Sequence, residues 1–302
     1  MVLITGVSGF VGGNLRSYLV RGSFDCITLS MRSKNWIGKI SETPTSIIHL
    51  AGKAHDTSHS SDPLEYFTIN RDLTKQLFDH FLSSGTRDFF YFSSVKAVAD
   101  TVDGILTEEV LPNPLTPYGK SKLEAEEYLL SKELPVGKRL FIIRPCMIHG
   151  PGNKGNLNLL FNIVKKGIPW PLGSFNNQRS FLSIDNLCFL IEKMLKDESL
   201  KSGIYNFSDD KALSTNELVS LISRTLNKNP KVWKISKRLI NNLAKFGDKL
   251  SLPLNSERLK KLTESYVVSN EKIKRELKLD RLPVSVEEGL EITIQSFNAE
   301  IK

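Results

Sequence analysis

The chain has 302 residues, 40% of them hydrophobic and 25% charged, with 41 Lys and Arg against 33 Asp and Glu and a formal net charge of +8. That length holds two domains, or one large domain with a lobe, and the ordinary composition excludes disordered and fibrous classes. No apolar run approaches the ~18 residues that span a bilayer, which excludes a transmembrane helix.

From the N-terminus, short β-branched runs at 2–5, 25–29, 46–50, 89–93 and 140–144 predict strands. Helical periodicity at 14–21, 63–84 and 118–130 predicts the helices between them. Continuous apolar strands separated by helices indicate a Rossmann-type α/β fold, a doubly wound parallel sheet that binds ligands at its carboxyl strand ends. Beyond Pro151 a Gly/Asn/Pro-rich stretch surrounds one short helix at 157–166. A helix at 184–196 and a strand-like run at 203–207 return to the sheet, and helices follow at 214–227, 234–250 and 285–300. A dinucleotide-binding domain is expected over 1–150 with the returning segment 177–206. A smaller substrate lobe is expected over 151–176 and 207–302.

The positive charge has an address: 228–278 carries 14 Lys and Arg against 5 Asp and Glu, a local +9 that leaves −1 for the rest. Within 234–250, Ile235, Leu239, Leu243, Phe246 and Leu250 recur at helical spacing among Lys237, Arg238, Lys245 and Lys249. The expected arrangement is a lobe helix packing its apolar face inward with its lysines solvated. Weak peripheral contact with anionic lipid is the alternative. Nucleic-acid binding is disfavoured, because only Trp233, Phe246 and Tyr266 interleave aromatics with this charge. Cys26, Cys146 and Cys188 never form a CxxC spacing, which argues against disulfides or zinc and for a reducing compartment. With no charged leader before the first strand, a cytoplasmic protein is expected.

Thr5-Gly6-Val7-Ser8-Gly9-Phe10-Val11-Gly12 gives G-x-x-G-x-x-G between the first strand and the first helix. Gly6 permits the tight turn, Gly9 admits a pyrophosphate to the backbone, and Gly12 lets helix and sheet approach. Residues Gly6, Ser8, Gly9, Phe10, Val11 and Gly12 are therefore candidates for dinucleotide binding. An acid is expected about 20 residues on to hold a ribose. Here the second strand ends Leu29-Ser30-Met31-Arg32, with Ser30 at that position and Arg32 placed for a 2′-phosphate. NADP is slightly favoured and NAD stays open.

Tyr118-Gly-Lys-Ser-Lys122 puts Tyr118 and Lys122 on one helix face. An ammonium there would lower a phenol pKa from its usual ~10 and make Tyr118 an acid–base group. Ser94, ending the strand 24 residues earlier, supplies a hydroxyl for the same substrate oxygen. Ser94, Tyr118 and Lys122 are the catalytic candidates.

With these motifs the chain resembles the extended short-chain dehydrogenases/reductases, in particular the NAD-dependent epimerase/dehydratase family. The likeness runs through His49-Leu50-Ala51-Gly52, Pro63 to Asn70, Ser93-Ser94, Tyr118/Lys122, Arg144-Pro145, Asn156-Leu157, Pro171-Leu172-Gly173 and Arg179-Ser180-Phe181. Within the family, the tail from Ser265 through Pro283-Val-Ser-Val resembles bacterial UDP-N-acetylhexosamine 4-epimerases and 4-ketoreductases of surface-polysaccharide synthesis. The resemblance implies a UDP-sugar substrate and further cofactor contacts at Leu50, Ala51, Gly52, Asn70, Arg144 and Pro145. It implies sugar-nucleotide contacts at Lys53, His55, Lys96, Met147, Asn156, Leu157, Pro171, Leu172, Arg179, Arg258 and Lys261. Of these, Asn156 and Arg179 would meet the pyrophosphate, and the backbone around 170–172 the uracil.

Lys96 stands where sugar-nucleotide 4,6-dehydratases carry a glutamate base, which disfavours dehydration. A non-catalytic dinucleotide sensor is a further alternative, opposed by the intact Ser94/Tyr118/Lys122 set. His55 and His59, four apart with Asp56 and Asp62 nearby, lie in a polar loop without a helical pattern, so no metal is expected, and His149 is expected to be structural. A homodimer is one open assembly.

Overall fold

The computed structural model describes residues 1–40, 42–53, 62–153, 156–250 and 255–299, and the side chains of Asn156, Lys249, Leu250 and Lys261 lie outside that set. The first half alternates β1 (Val2–Thr5), α1 (Phe10–Arg21), β2 (Cys26–Leu29), β3 (Ser46–His49), α2 (Pro63–Tyr66), a π-helical turn (Phe67–Asp72), α3 (Leu73–Ser83), β4 (Asp88–Phe92), β5 (Ile105–Leu106), α4 (Pro117–Leu130) and β6 (Arg139–Pro145). The second half holds β7 (Met147–His149), α5 (Asn156–Lys165), β8 (Phe181–Ser183), α6 (Ile184–Lys196), β9 (Gly203–Phe207), α7 (Thr215–Thr225), α8 (Lys237–Leu250), α9 (Ser256–Thr263), β10 (Val267–Val268), α10 (Glu271–Glu276) and α11 (Val286–Ala299).

The central sheet runs β2-β1-β3-β4-β6-β9, and every pair in it is parallel. Its strand interiors are mainly apolar because both faces are covered. Ile4, Ile48, Phe90 and Phe141 pack on one side with Leu15 and Leu19 of α1 and Leu187, Leu190 and Ile191 of α6. Leu3, Ile47, Phe89 and Ile142 pack on the other with Leu77, Phe78 and Phe81 of α3 and Ala125 and Leu129 of α4. The order reverses between β1 and β3, whose register pairs Thr5 with His49, so a crevice opens beyond those two residues. The strand-like run at 203–207 does join the sheet, as β9 beside β6.

A third apolar cluster lies outside the sheet, with contributions from α5, α7, α8, α9 and α11, among them Phe161, Ile222, Ile240, Leu259, Leu290 and Phe297. Here the expectation for the basic segment is corrected. Of its apolar series, Leu239, Leu243 and Phe246 are 53%, 49% and 56% exposed, whereas Ile240 and Ala244 are buried. The helix rests on the edge next to its apolar stripe, since one step along the chain turns the face by about 100°. Spacing found the stripe but not the edge that packs. Among the described residues no helix is long and apolar enough to cross a membrane.

Candidate functional site

Gly6 sits at φ +73, and a Cβ there would lie 2.6 Å from the Ala51 nitrogen; one on Gly12 would drive into the Gly6 carbonyl. The loop is therefore packed directly against the end of β3. Gly9 caps α1 without a side chain, and no acid stands in the first turn. The leading amides of a 12-residue helix thus point into the crevice without a side-chain acceptor. An uncapped helix start behind a glycine turn fits a pyrophosphate. Ser30 and Arg32 are both exposed just past β2.

Beneath the loop, a chain of hydrogen bonds holds the crevice floor. Thr5 Oγ1 accepts from the Leu50 and Ala51 amides at 3.2 and 3.1 Å, which leaves its proton for His49 Nδ1 at 2.8 Å. His49 Nε2 then donates to Thr74 Oγ1 at 2.9 Å, and Thr74 donates to the Asn70 carbonyl at 2.6 Å. This ordering requires neutral His49, and burial, with Lys122 nearby, pushes its pKa down to about 3. Asn70 lies in the π turn, fully buried. Its Oδ1 accepts from the Lys53 amide at 2.7 Å, and its Nδ2 donates to the Lys53 carbonyl at 3.2 Å and to Ser121 Oγ at 3.1 Å. Asn70 therefore ties the 50–53 loop to α4. A π turn is a common way to re-aim one side chain within a helix.

Two of the three catalytic candidates, Ser94 and Tyr118, meet at the crevice mouth. Ser94 lies two residues past β4, and its hydroxyl hydrogen-bonds Tyr118 while accepting from the Lys96 amide at 3.1 Å. Tyr118 also meets the Tyr66 ring edge-on at 6.1 Å. Burial raises the Tyr118 pKa, against the Ser94 hydrogen bond that lowers it. This reverses the expected direction for the chain alone, because the Lys122 ammonium is turned elsewhere. It donates to the Phe92 carbonyl at 2.8 Å and lies 5.0 Å from the centre of the Tyr91 ring. It also borders Gly52, where a Cβ would come within 3.3 Å of Nζ. Burial lowers the Lys122 pKa to about 8, with Glu126 opposing the shift.

Glu126 is a site residue that the motif search missed. It lies one turn after Lys122 on α4 and is 1% exposed. It accepts from Ser93 Oγ, and Arg144 Nε lies 3.1 Å from each of its oxygens. Arg144 is thus committed to a buried ion pair, and only its Nη1 is buried without a protein partner. The signal for Glu126 was its i+4 spacing from Lys122, but burial and the Arg144 partner come from a separate strand.

The remaining candidates scatter. Lys53 pairs with Glu65 and lies over Tyr66. Lys96 donates to the Asp100 carbonyl at 2.8 Å and stacks 4.3 Å from the Tyr266 ring centre. Pro145 ends β6, and Met147 begins β7, which pairs with β8. Leu157 and Leu172 are buried in the third cluster, and Pro171 is partly exposed beside Leu172. The Trp170 backbone is paired with Lys231 and Trp233, so its amide is already spent. Arg179 sends Nε to the Glu264 carbonyl at 3.2 Å, and burial lowers its guanidinium pKa. Arg258 is exposed on α9; His55 and His59 lie outside the described residues, as do the side chains of Asn156 and Lys261. His149 is buried, with Nδ1 3.0 Å from Thr293 Oγ1. Among the described residues no His/Cys/Asp/Glu group could hold a metal.

A parallel sheet with a glycine turn at its switch point, and a Ser–Tyr pair beside a buried lysine, is the arrangement of the extended short-chain dehydrogenase/reductase class. The sequence profile of the NAD dependent epimerase/dehydratase family matches residues 2–207, and the chain belongs to that family. It is 32% identical over 249 residues to a UDP-glucose 4-epimerase of Vibrio cholerae, covering 75% of this chain and 76% of that one. It is 27% identical to the N-acetyl-alpha-D-glucosaminyl-diphospho-ditrans,octacis-undecaprenol 4-epimerase of Escherichia coli O157:H7, over 75% and 72% of the two chains. Among solved structures, MoeE5 in complex with UDP-glucose and NAD superposes with a TM-score of 0.77 at 20% identity, covering 100% of this chain and 99% of that one.

Proposed function

We propose that this chain is a 4-epimerase of a UDP-sugar, with a UDP-N-acetylhexosamine of surface-polysaccharide synthesis as the favoured substrate. The observation that carries the reading is the hydrogen bond between Ser94 and Tyr118 at the mouth of the glycine-turn crevice. The two relatives named as 4-epimerases support the position of reaction, and the N-acetylglucosaminyl relative supports the amino sugar.

Gly6, Ser8, Gly9, Phe10, Val11 and Gly12 would hold the pyrophosphate of a dinucleotide, with Leu50, Ala51 and Gly52 forming the facing wall. Bound there, the dinucleotide supplies reversible hydride transfer and, when oxidised, positive charge that favours the Tyr118 phenolate. The protein's own task is the proton. Tyr118 takes it from the 4-hydroxyl and returns it to the 4-oxygen, and Ser94 fixes that oxygen. Positioned acid–base transfer of this kind contributes roughly 10²–10⁴-fold. Lys122, fixed by the Phe92 carbonyl, keeps a cation beside Gly52 at the crevice floor. Arg179, desolvated and aimed by the Glu264 carbonyl, is the candidate for the substrate diphosphate, together with Asn156, Arg258 and Lys261.

Denaturing the purified protein and identifying the released nucleotide tests the reading. Retained NAD is expected for an epimerase, which must return hydride to the same sugar. An empty site that binds NADPH reversibly would replace epimerisation by 4-ketoreduction, with Arg32 at the 2′-phosphate. In parallel, Tyr118→Phe should cut turnover of UDP-sugars by roughly 10²-fold or more while dinucleotide affinity stays unchanged. Undiminished turnover would end the mechanism.

A further inference from the structure

The exposed stripe on α8 is unlike the rest of the surface. Leu239, Leu243 and Phe246 follow one another at i, i+4 and i+7, and all three are about half-exposed, although Ile240 and Ala244 on the next edge are buried. At about 100° per residue the stripe covers roughly 60° of the helix. Arg238 and Lys245 stand about 80–100° from Phe246, on the side away from the protein core. Both are exposed. Asp248, the lone acid of the helix, is turned to α9, where it accepts from the Ser256 amide at 2.9 Å and from Ser256 Oγ at 2.6 Å. Lys260 and half-exposed Leu262 on α9 extend the same composition.

We infer that α8 is a docking surface for an anionic lipid bilayer. The stripe would enter the headgroup–acyl boundary, with Arg238 and Lys245 at the level of the phosphates. Three observations select this occupant. The charge beside the stripe is positive, which complements acidic headgroups. A second copy of the chain would set Arg238 and Lys245 against the same residues of its partner across a two-fold axis, and like charges oppose that. One narrow convex stripe also presents too little area for a stable protein interface of about 800 Å² per side, whereas a bilayer closes over a single helix face without shape complementarity. Long Lys and Arg stems reach back along apolar surface, so cations beside a buried stripe stay hydrated.

Sedimentation of the full chain with vesicles tests this without any turnover, so its failure is separate from failure of the proposed reaction. The protein should pellet with vesicles of equimolar phosphatidylglycerol and phosphatidylcholine at low salt. It should stay in solution with pure phosphatidylcholine, and it should be released as the screening length falls from ~10 Å at 0.1 M salt to ~3 Å at 1 M. Leu243→Glu and Phe246→Glu should each weaken binding by about tenfold or more, the scale of one buried large apolar side chain. The double variant Arg238→Gln/Lys245→Gln should lose the preference for anionic lipid. Arg238 and Lys245 are exposed, so the melting curve of the double variant should match the parent, and dinucleotide affinity should match it in all three variants. Absence of pelleting, or equal pelleting of parent and variants, would overturn the inference. So would an oligomer that dissociates on Leu243→Glu while no vesicle binding is seen, which would assign the stripe to a second copy.

Discussion

The crevice floor and the α8 surface both gather charged and polar side chains, and they treat them in opposite ways. At the crevice, Lys122, Glu126 and Arg144 are all nearly inaccessible to water. Each is held by named partners: a carbonyl, a serine hydroxyl, or one another. On α8, Arg238 and Lys245 are solvated, and the apolar side chains are only half covered. A buried charge keeps a fixed position only when its hydrogen bonds are complete, and removing one partner exposes the penalty of burial. An exposed charge is free to move and is worth little to the fold. The crevice is thus built for orientation and the α8 face for contact.

Breaking the buried pair should produce the largest change. Glu126→Ala leaves Arg144 charged and unpaired, and the expected loss is about 3–5 kcal/mol in chemical denaturation. The same truncation at exposed Arg238 should leave stability close to the parent. Similar losses at both positions would remove the distinction between the two regions.

A smaller effect concerns the charge on Lys122. With its pKa lowered to about 8, the ammonium is lost as pH rises through that value, and turnover should fall above it. Glu126→Gln removes the carboxylate that holds this pKa up, so the basic limb should move to lower pH. A limb that stays in place would mean that Lys122 is not the group being read. The sign for stability is the reverse: between about 8 and the ordinary 10.5, the unfolded chain holds a proton that the folded one lacks, so stability rises across that window as the penalty of burying the ammonium is relieved.

A third effect is expected at His49, where the pH interval is widest. Its pKa is about 3 in the folded chain against an ordinary 6.5, so unfolding takes up a proton as pH falls through that interval and stability declines. His49→Gln should flatten urea midpoints between pH 6.5 and 3 by about one proton, relative to the parent. An unchanged slope would show that the Thr5–His49–Thr74 chain does not require the neutral ring.

Much of the fold was legible because its signals are local. A β-branched run, a glycine turn and a helical period each occupy a few adjacent residues, and five sheet strands could be marked from them within one or two residues. Gly6, Tyr118 and Lys122 were found for the same reason. The polar network was not legible, because Thr5, His49 and Thr74 are separated by 44 and 25 residues and meet only when β1, β3 and α3 pack. The two-residue strands β5 and β10 pair across more than half the chain and carry no local pattern of their own.

By itself, the amino-acid sequence determined the alternation of strands and helices, the glycine turn after β1 and the types of group at the candidate site. Only the tertiary structure decided their state. Packing turned Lys122 toward the Phe92 carbonyl, raised the Tyr118 pKa instead of lowering it, enclosed Glu126 with Arg144, and left the stripe of α8 in water. These outcomes depend on burial and on partners brought from distant segments, and spacing along the chain carries neither.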